Sequence, residues 1–350
     1  MIINTFFIAT NIPLCHFKLH LRPGKKYMRK LAVFTSGGDA PGMNACVRAV
    51  VRGSIYYEAE IYGISQGYLG MVNDDMYKME SYSVSNILQR GGTILKSSRC
   101  EEFKTKKGRA QAYKNLKKRG IDGLIAIGGD GTFTGAKIFS DEYDIPVIGV
   151  PGTIDNDIFG TDKTIGFDTA VNTTLDAVDK IRDTADSHGR IFFIEVMGRD
   201  SGYIAIQCAI GGGAESVILP EHEATAEDVI RHLQDGIRRE KSFSIVIVAE
   251  KDKPGFAIEL AEDVKSVIVN KDIRVSVLGH LQRGGSPTST DRTLASRLGL
   301  GAVEGLIDGR RNEMVGIIND KLVYTSLEEA ISKDKPLNPE LMRLMKVLSI

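Results

Sequence analysis

The chain has 350 residues, 45 basic and 45 acidic, with 42% hydrophobic and 26% charged residues. These values are ordinary for a water-soluble globular protein, and the length predicts two domains with separate cores. The charge balance excludes a global positive field for nucleic acid or an anionic membrane, so any anion binding must be local.

At the amino end, Phe6, Phe7, Ile8 and Ala9 open an apolar run. Lys18, Arg22, Lys25 and Lys26 follow that run instead of preceding it, and no small-residue cleavage site intervenes, which argues against an export signal. Asn11 and Pro13 break the run well short of the ~20 apolar residues that a spanning helix needs. Residues 1–27 therefore read as a disordered extension, or as the product of an upstream start with Met28 the functional one. Cys15, Cys46, Cys100 and Cys208 are scattered, with no C-x-x-C pair and no histidine at zinc-ligand spacing, the pattern of reduced thiols in a cytoplasmic protein.

From Lys30 onward, apolar β-branched runs at 31–35, 123–127, 147–150, 191–196, 245–249 and 275–278 alternate with segments of helical period. Most are continuously apolar, as strands buried on both faces are, so helices must cover both sides. The predicted class is α/β, with two doubly wound domains whose mostly parallel sheets are flanked by helices. Val171, Leu175, Val178 and Ile181 form one stripe on a helix predicted to begin near Asp168. No low-complexity linker is present, so the chain must cross directly from one domain to the other.

Gly37-Gly38-Asp39 follows the first strand and Gly128-Gly129-Asp130 the second, each leading into a predicted helix. Paired glycines let the backbone turn sharply and approach a ligand, and the next helix offers unpaired N–H groups to an anion. Read singly, either tripeptide is equally a plain turn, but two of them at strand carboxyl ends fall where doubly wound sheets bind ligands. Neither G-x-x-x-x-G-K-[ST] nor G-x-G-x-x-G occurs, which excludes the two commonest nucleotide fingerprints.

Pro151-Gly152-Thr153-Ile154-Asp155-Asn156-Asp157 follows the strand at 147–150. It sets two carboxylates and a hydroxyl at a third strand end, a combination suited to phosphoryl transfer, where a carboxylate orients and deprotonates an acceptor hydroxyl. Asp155 is the candidate base. Asp130 is a candidate ligand for Mg2+, directly or through water. Each aspartate alone could instead cap a helix or turn.

From Lys30 to its C-terminus the chain resembles bacterial-type ATP-dependent phosphofructokinases. The matching strings are Thr35-Ser36-Gly37-Gly38-Asp39-Ala40-Pro41-Gly42-Met43-Asn44, Arg90-Gly91-Gly92-Thr93 and Gly128-Gly129-Asp130-Gly131-Thr132. Residues 151–157, Met197-Gly198-Arg199, and Gly279-His280-Leu281-Gln282-Arg283-Gly284-Gly285-Ser286-Pro287 complete the ordered set. The resemblance implies a larger ATP-binding domain of residues 28–165 plus 281–333, and a smaller fructose 6-phosphate domain of 166–280 plus 334–350. It implies Asp155 as base, Thr153 placing the transferring phosphate, and Arg199 as a third catalytic residue. ATP would lie against Gly38, Arg99, Cys100, Gly129, Asp130, Gly131 and Thr132. The sugar phosphate would meet Thr153, Ile154, Asp155, Met197, Gly198, Arg199, Glu250, Arg274, His280, Leu281, Gln282 and Arg283, with Arg190 reaching the substrate of a neighbouring subunit in a homotetramer. An effector site for ADP or phosphoenolpyruvate would use Arg48, Arg52, Arg182, Gly213, Ala214, Glu215, Arg239 and Lys241. Part of its pattern departs here, because relatives that read Lys-Lys-His have Lys241-Ser242-Phe243 as their counterpart, and Ser81 stands where some carry Arg.

Pyrophosphate-using relatives carry Asp where Gly131 stands and Lys where Gly152 stands, so ATP is the expected donor. Kinases of NAD or lipid diols share the Gly128–Thr132 string but are not expected to carry the strings at 151–157 and 279–287. A catalytically silent nucleotide-sensing subunit would lose the base or the metal ligand, and here Asp155, Asp157, Asp130 and Arg199 are all present.

Overall fold

The computed structural model describes residues 30–222, 225–251 and 254–349. Residues 1–27, Met28 and Cys15 lie outside the described residues, and with them the expectations about the amino-terminal segment.

The first half of the chain runs β1 (Lys30–Thr35), α1 (Met43–Tyr56), β2 (Glu60–Ile64), α2 (Tyr68–Asn73), β3 (Met76–Met79), α3 (Lys106–Arg119), β4 (Gly123–Gly128), α4 (Asp130–Tyr143) and β5 (Val147–Pro151). It then crosses to α5 (Phe167–His188), β6 (Ile191–Val196), α6 (Tyr203–Gly211), β7 (Ser216–Ile218), α7 (Ala226–Arg238), β8 (Ser244–Ala249), α8 (Phe256–Val267) and β9 (Ile273–Val277). The return supplies α9 (Ser289–Ile307), β10 (Glu313–Ile318), β11 (Lys321–Ser326) and α10 (Leu327–Ser332), and the chain ends with α11 (Pro339–Leu348).

Two sheets result. The larger has seven strands in the order β11-β10-β5-β4-β1-β2-β3, and the smaller has four in the order β7-β8-β6-β9. The central pairings β2-β1-β4-β5-β10 are parallel, whereas β3 and β11 close the two edges antiparallel. The smaller sheet is parallel throughout. Strands β1, β4, β5, β6 and β8 are buried on nearly every residue, the reason for their unbroken apolar sequence.

Helices cover both faces of each sheet. On the larger, α1 and α9 pack on one face while α2, α3, α4 and α10 enclose the other around Phe34, Phe133 and Phe139. On the smaller, α5 and α6 lie on one face and α7 and α8 on the other, around Phe193 and Leu260. The α1/α9 layer and the α5/α6 layer merge in a single apolar cluster that includes Ile154, Ile165, Phe167 and Tyr203.

Each sheet reverses its strand order once. In the larger sheet the chain proceeds from β1 outward to β3 and returns to place β4 on the opposite side of β1; in the smaller, β9 lies across β6 from β8. Ligand crevices of such sheets open at the carboxyl ends beside these reversals. The loops at 36–42 and 128–130 flank the first, and those at 197–202 and 278–284 flank the second.

Three crossings join the domains, after β5, after β9 and after α10, and one carboxylate ties the first two. Asp291, fully buried at the start of α9, accepts hydrogen bonds from the backbone N–H of Gly166 at 2.9 Å and of Thr169 at 2.8 Å, and from Thr169 Oγ1 at 2.5 Å. Thr288 Oγ1 donates to Asp168 at 2.6 Å. The outgoing and returning strands of chain are thus fastened to each other where they pass.

Candidate active site

The acidic loop after β5 is built by its own side chains. Asn156 takes a left-handed φ of 54°, a conformation asparagine tolerates better than most residues. Its Oδ1 accepts from the Thr164 N–H at 3.0 Å and its Nδ2 donates to the Asp162 carbonyl at 3.3 Å. That closes the loop that carries Asp155. Thr153 Oγ1 donates to Asp155 Oδ2 at 3.3 Å and accepts from the Asp155 N–H at 3.2 Å. From the smaller domain, Ser201 Oγ donates to the Asp155 carbonyl at 2.9 Å. The candidate base is therefore held from both sides of the cleft.

Asp155 is only 6% exposed, and its Oδ1 is buried with no hydrogen-bond partner. Among the described residues the other buried side-chain polar atoms in that state are Thr132 Oγ1 and Asp157 Oδ1. Unpaired buried oxygens are rare and need an explanation; all three belong to the loops that the sequence singled out. Burial pushes the Asp155 carboxyl above the usual range, while Arg283, the Thr153 hydroxyl and Arg199 pull it back. Burial, with the charges of Asp155 and Asp130, pushes Asp157 up to about 7. Asp130 is raised by burial and by Asp155 and lowered by Arg199. Three carboxylates and two arginines thus act on one another across the cleft.

The opposite wall is the start of α4. Its N-cap, Gly129, provides no side-chain cap, so the first N–H groups face the crevice, as at phosphate-binding helix ends. Gly128 permits the turn: a Cβ there would come within 2.3 Å of Thr132 Oγ1 and 2.5 Å of the Ser36 carbonyl. A Cβ built at Gly131 meets no atom within 4 Å, whereas one at Gly152 meets Ile127 at 3.0 Å and Met43 at 3.2 Å. Ser97 Oγ donates to the Gly37 carbonyl at 2.6 Å and so carries the loop bearing Arg99 over the first glycine pair. The Cys100 side chain packs against the larger domain's core.

Arg283 lies across Gly38, where an added Cβ would approach its Nη1 to 2.5 Å, and donates to the Asp39 carbonyl at 3.3 Å. Met197 and Glu250 are buried at the ends of β6 and β8, and burial and the Asp155 charge raise the Glu250 carboxyl. Ile154 is fully buried, leaving only its backbone for a ligand. Gly198 has φ 155°, and Arg199 a left-handed φ of 53°, an uncommon conformation of the kind that clusters at functional sites. His280 and Leu281 are exposed on the turn Gly279–Arg283. Gln282 is fully buried: its Oε1 accepts from Thr174 at 3.1 Å and the Met197 N–H at 3.3 Å, and its Nε2 donates to Gly279 at 3.1 Å. Its side chain therefore shapes the wall of the site.

Arg190 and Arg274 stand elsewhere. Arg190 immediately precedes β6, Arg274 pairs in register with Phe192, and both donate to Asp272, at 2.8 Å and 3.0 Å. That is the amino end of the smaller sheet, whereas Asp155 faces its carboxyl end.

The predicted effector residues fall into two groups. Arg182 donates to the carbonyls of Gly212 and Gly213 and lies 5.6 Å from the Phe243 ring. Lys241 pairs with Glu215 at 3.9 Å, with buried Ala214 adjoining and Arg239 capping α7. Arg48 and Arg52 are one turn apart on α1 of the larger domain, and burial and the Arg52 charge both lower Arg48.

Sequence reasoning missed Tyr68, stacked on Phe103 at 4.0 Å with its hydroxyl donating to the Thr132 carbonyl at 2.5 Å. It also missed Ser201, Asp291 and Lys335. Tyr68 follows Gly67 at the start of α2, a position with no chemical signature, and the others depend on contacts between distant segments.

Fold and site together define a doubly wound α/β protein that presents open helix ends for phosphate opposite a buried carboxylate. A family profile described as Phosphofructokinase matches residues 30–306. The chain is 56% identical over 322 residues to an ATP-dependent 6-phosphofructokinase of Cytophaga hutchinsonii, covering 92% of this chain and 98% of that one. It is 52% identical over 323 residues to ATP-dependent 6-phosphofructokinase 1 of Thermus thermophilus, covering 92% and 100%. A solved phosphofructokinase from Saccharomyces cerevisiae superposes with a TM-score of 0.82 at 33% identity; it spans 92% of this chain, which is about half that chain's length, 47%. The chain belongs to the phosphofructokinase family.

Proposed function

We propose that the chain phosphorylates fructose 6-phosphate at its first hydroxyl with ATP, giving fructose 1,6-bisphosphate and ADP. The observation that carries this reading is the buried, unpartnered Oδ1 of Asp155, raised above the usual carboxylate range, opposite the uncapped start of α4. The acceptor oxygen attacks the terminal phosphorus of ATP as the bond to ADP breaks, and the hydroxyl proton passes to Asp155. Thr153 fixes the direction of that carboxylate. Arg199 and Arg283 supply positive charge where negative charge accumulates. Two carboxylates, with an unsatisfied oxygen on Asp157, suit a hard divalent cation that keeps several waters, so Asp130 and Asp157 would hold Mg2+. When bound, that ion neutralises charge on the phosphate oxygens.

ATP rather than pyrophosphate is favoured by Gly131, whose Cβ direction opens into the crevice, and by Gly152. The position of Arg190 and Arg274 supports their service to a neighbouring subunit's sugar phosphate in a homotetramer. ADP and phosphoenolpyruvate remain the proposed effectors at the Arg182 cluster, with Phe243 in place of a cationic or hydrogen-bonding residue weakening anion binding by about 1 kcal/mol. Among the described residues no helix is long and apolar enough to cross a membrane, and Cys46, Cys100 and Cys208 are free thiols, which supports a cytoplasmic setting.

A coupled assay with fructose 6-phosphate tests donor, acceptor and base together. ATP should support turnover and pyrophosphate should not. Asp155→Asn should lower kcat by roughly 100-fold or more with little change in KM for ATP. Full ATP-driven turnover by Asp155→Asn would remove the proposed base.

A further inference from the structure

Residues 333–338 form a strap that leaves α10 in the larger domain and enters α11, which packs on α6 of the smaller. On the way it touches the acidic loop. Asp334 forms an isolated antiparallel bridge with the buried Ile158. Lys335 Nζ donates to the Asp162 carbonyl at 3.1 Å, the same oxygen that receives Asn156 Nδ2. The ammonium also lies 4.9 Å from the centre of the Tyr203 ring, whose hydroxyl donates to the Pro336 carbonyl at 2.8 Å. Leu337 is buried in the cluster shared by both domains.

We propose that Lys335 is a positioning residue for the reaction: from the interdomain strap it fixes residues 156–162, the segment that follows Asp155 and on which the placing of its carboxylate depends. Two observations carry this. The lysine is tied to the carbonyl that also closes the Asn156 loop, so its loss frees that loop at one point. Its ammonium lies over the Tyr203 ring of α6, so the loop is anchored to the smaller domain as well as to its own. The charged and titratable groups facing it are Asp157 and Asp162 from the loop after β5 and Tyr203 from α6, with Glu221 acting on that tyrosine.

The inference rests on the proposed phosphoryl transfer, and two readings separate their fates. Lys335→Met and Lys335→Arg are compared with the parent by amide hydrogen exchange across residues 156–164 and by kcat and KM with ATP and fructose 6-phosphate. Lys335→Met should exchange faster in that segment and lose roughly tenfold in kcat with KM for ATP little changed, the pattern of an interaction felt in the transition state. Lys335→Arg should return most of both. Lys335→Gln stands in should Lys335→Met fail to fold. Unchanged exchange overturns the inference, as does faster exchange in an active enzyme whose kcat does not move. If the parent does not turn over fructose 6-phosphate, the functional reading falls and the exchange measurement alone decides the role of Lys335.

Discussion

Asp157 holds its proton more tightly in the folded chain than in the unfolded one, at about 7 against the ordinary 3.8, because burial and two neighbouring carboxylates oppose its charge. A raised carboxylate makes the folded state the better proton binder, so this group favours folding increasingly as pH falls from about 8 towards 4 and opposes it at neutral pH. Asp157→Asn removes the opposition. It should stabilise the protein by on the order of 2 kcal/mol at pH near 8, with the gain shrinking towards acid, as measured by urea unfolding at both ends of the range. The same change should slow catalysis, since the strained charge is retained where it would meet the metal and phosphate. A pH-independent stability change would show that Asp157 is not under this electrostatic load.

The turn from β4 to α4 concentrates an element-scale dependence in one missing atom. Gly128→Ala places a Cβ against the Ser36 carbonyl, a backbone atom that cannot rotate away, and against Thr132 Oγ1. The turn must shift, which should cost about 2 kcal/mol and raise KM for ATP severalfold, checked by thermal unfolding and steady-state kinetics. Elements of this kind were legible wherever burial forces an unbroken apolar run. The strand expected at 191–196 is β6 as observed, and those expected at 31–35, 123–127, 147–150 and 245–249 each gain one residue. The stripe from Val171 to Ile181 is α5, which starts at Phe167. The strand expected at 275–278 instead spans Ile273–Val277, because Arg274 and Val277 are exposed at the sheet's edge and the strand does not read as continuously apolar. Strands β2, β3, β7, β10 and β11 went unread: some are short, and β3 and β11 are edge strands whose outward residues are polar, such as Lys78 and Lys321. In the site, the glycine loops and residues 151–157 announced themselves by composition. Ser201, Asp291 and Lys335 did not, because a hydrogen bond across 46 or more positions leaves no local periodicity.

At the scale of the molecule, Arg190 and Arg274 share Asp272 at the end of the smaller sheet remote from Asp155. Strands of five or six residues put roughly 15–20 Å between those ends. In one chain these guanidiniums lie far from the acidic loop, which is why we propose that a second copy completes the sugar site. Mixing denatured Asp155→Asn and Arg190→Ala/Arg274→Ala chains and refolding them together should therefore restore activity that neither has alone. An additive, uncomplemented rate would mean that each chain works unaided.

The pairing of β5 with β10 joins residues 148–149 to residues 313–314. During synthesis the ribosome must emit the whole smaller sheet before the partner of β5 appears, and until then β5 presents an unpaired, fully apolar edge. Completion of the larger sheet thus waits until most of the chain has been made, and the interval before it is when a nascent chain most needs shielding by a chaperone.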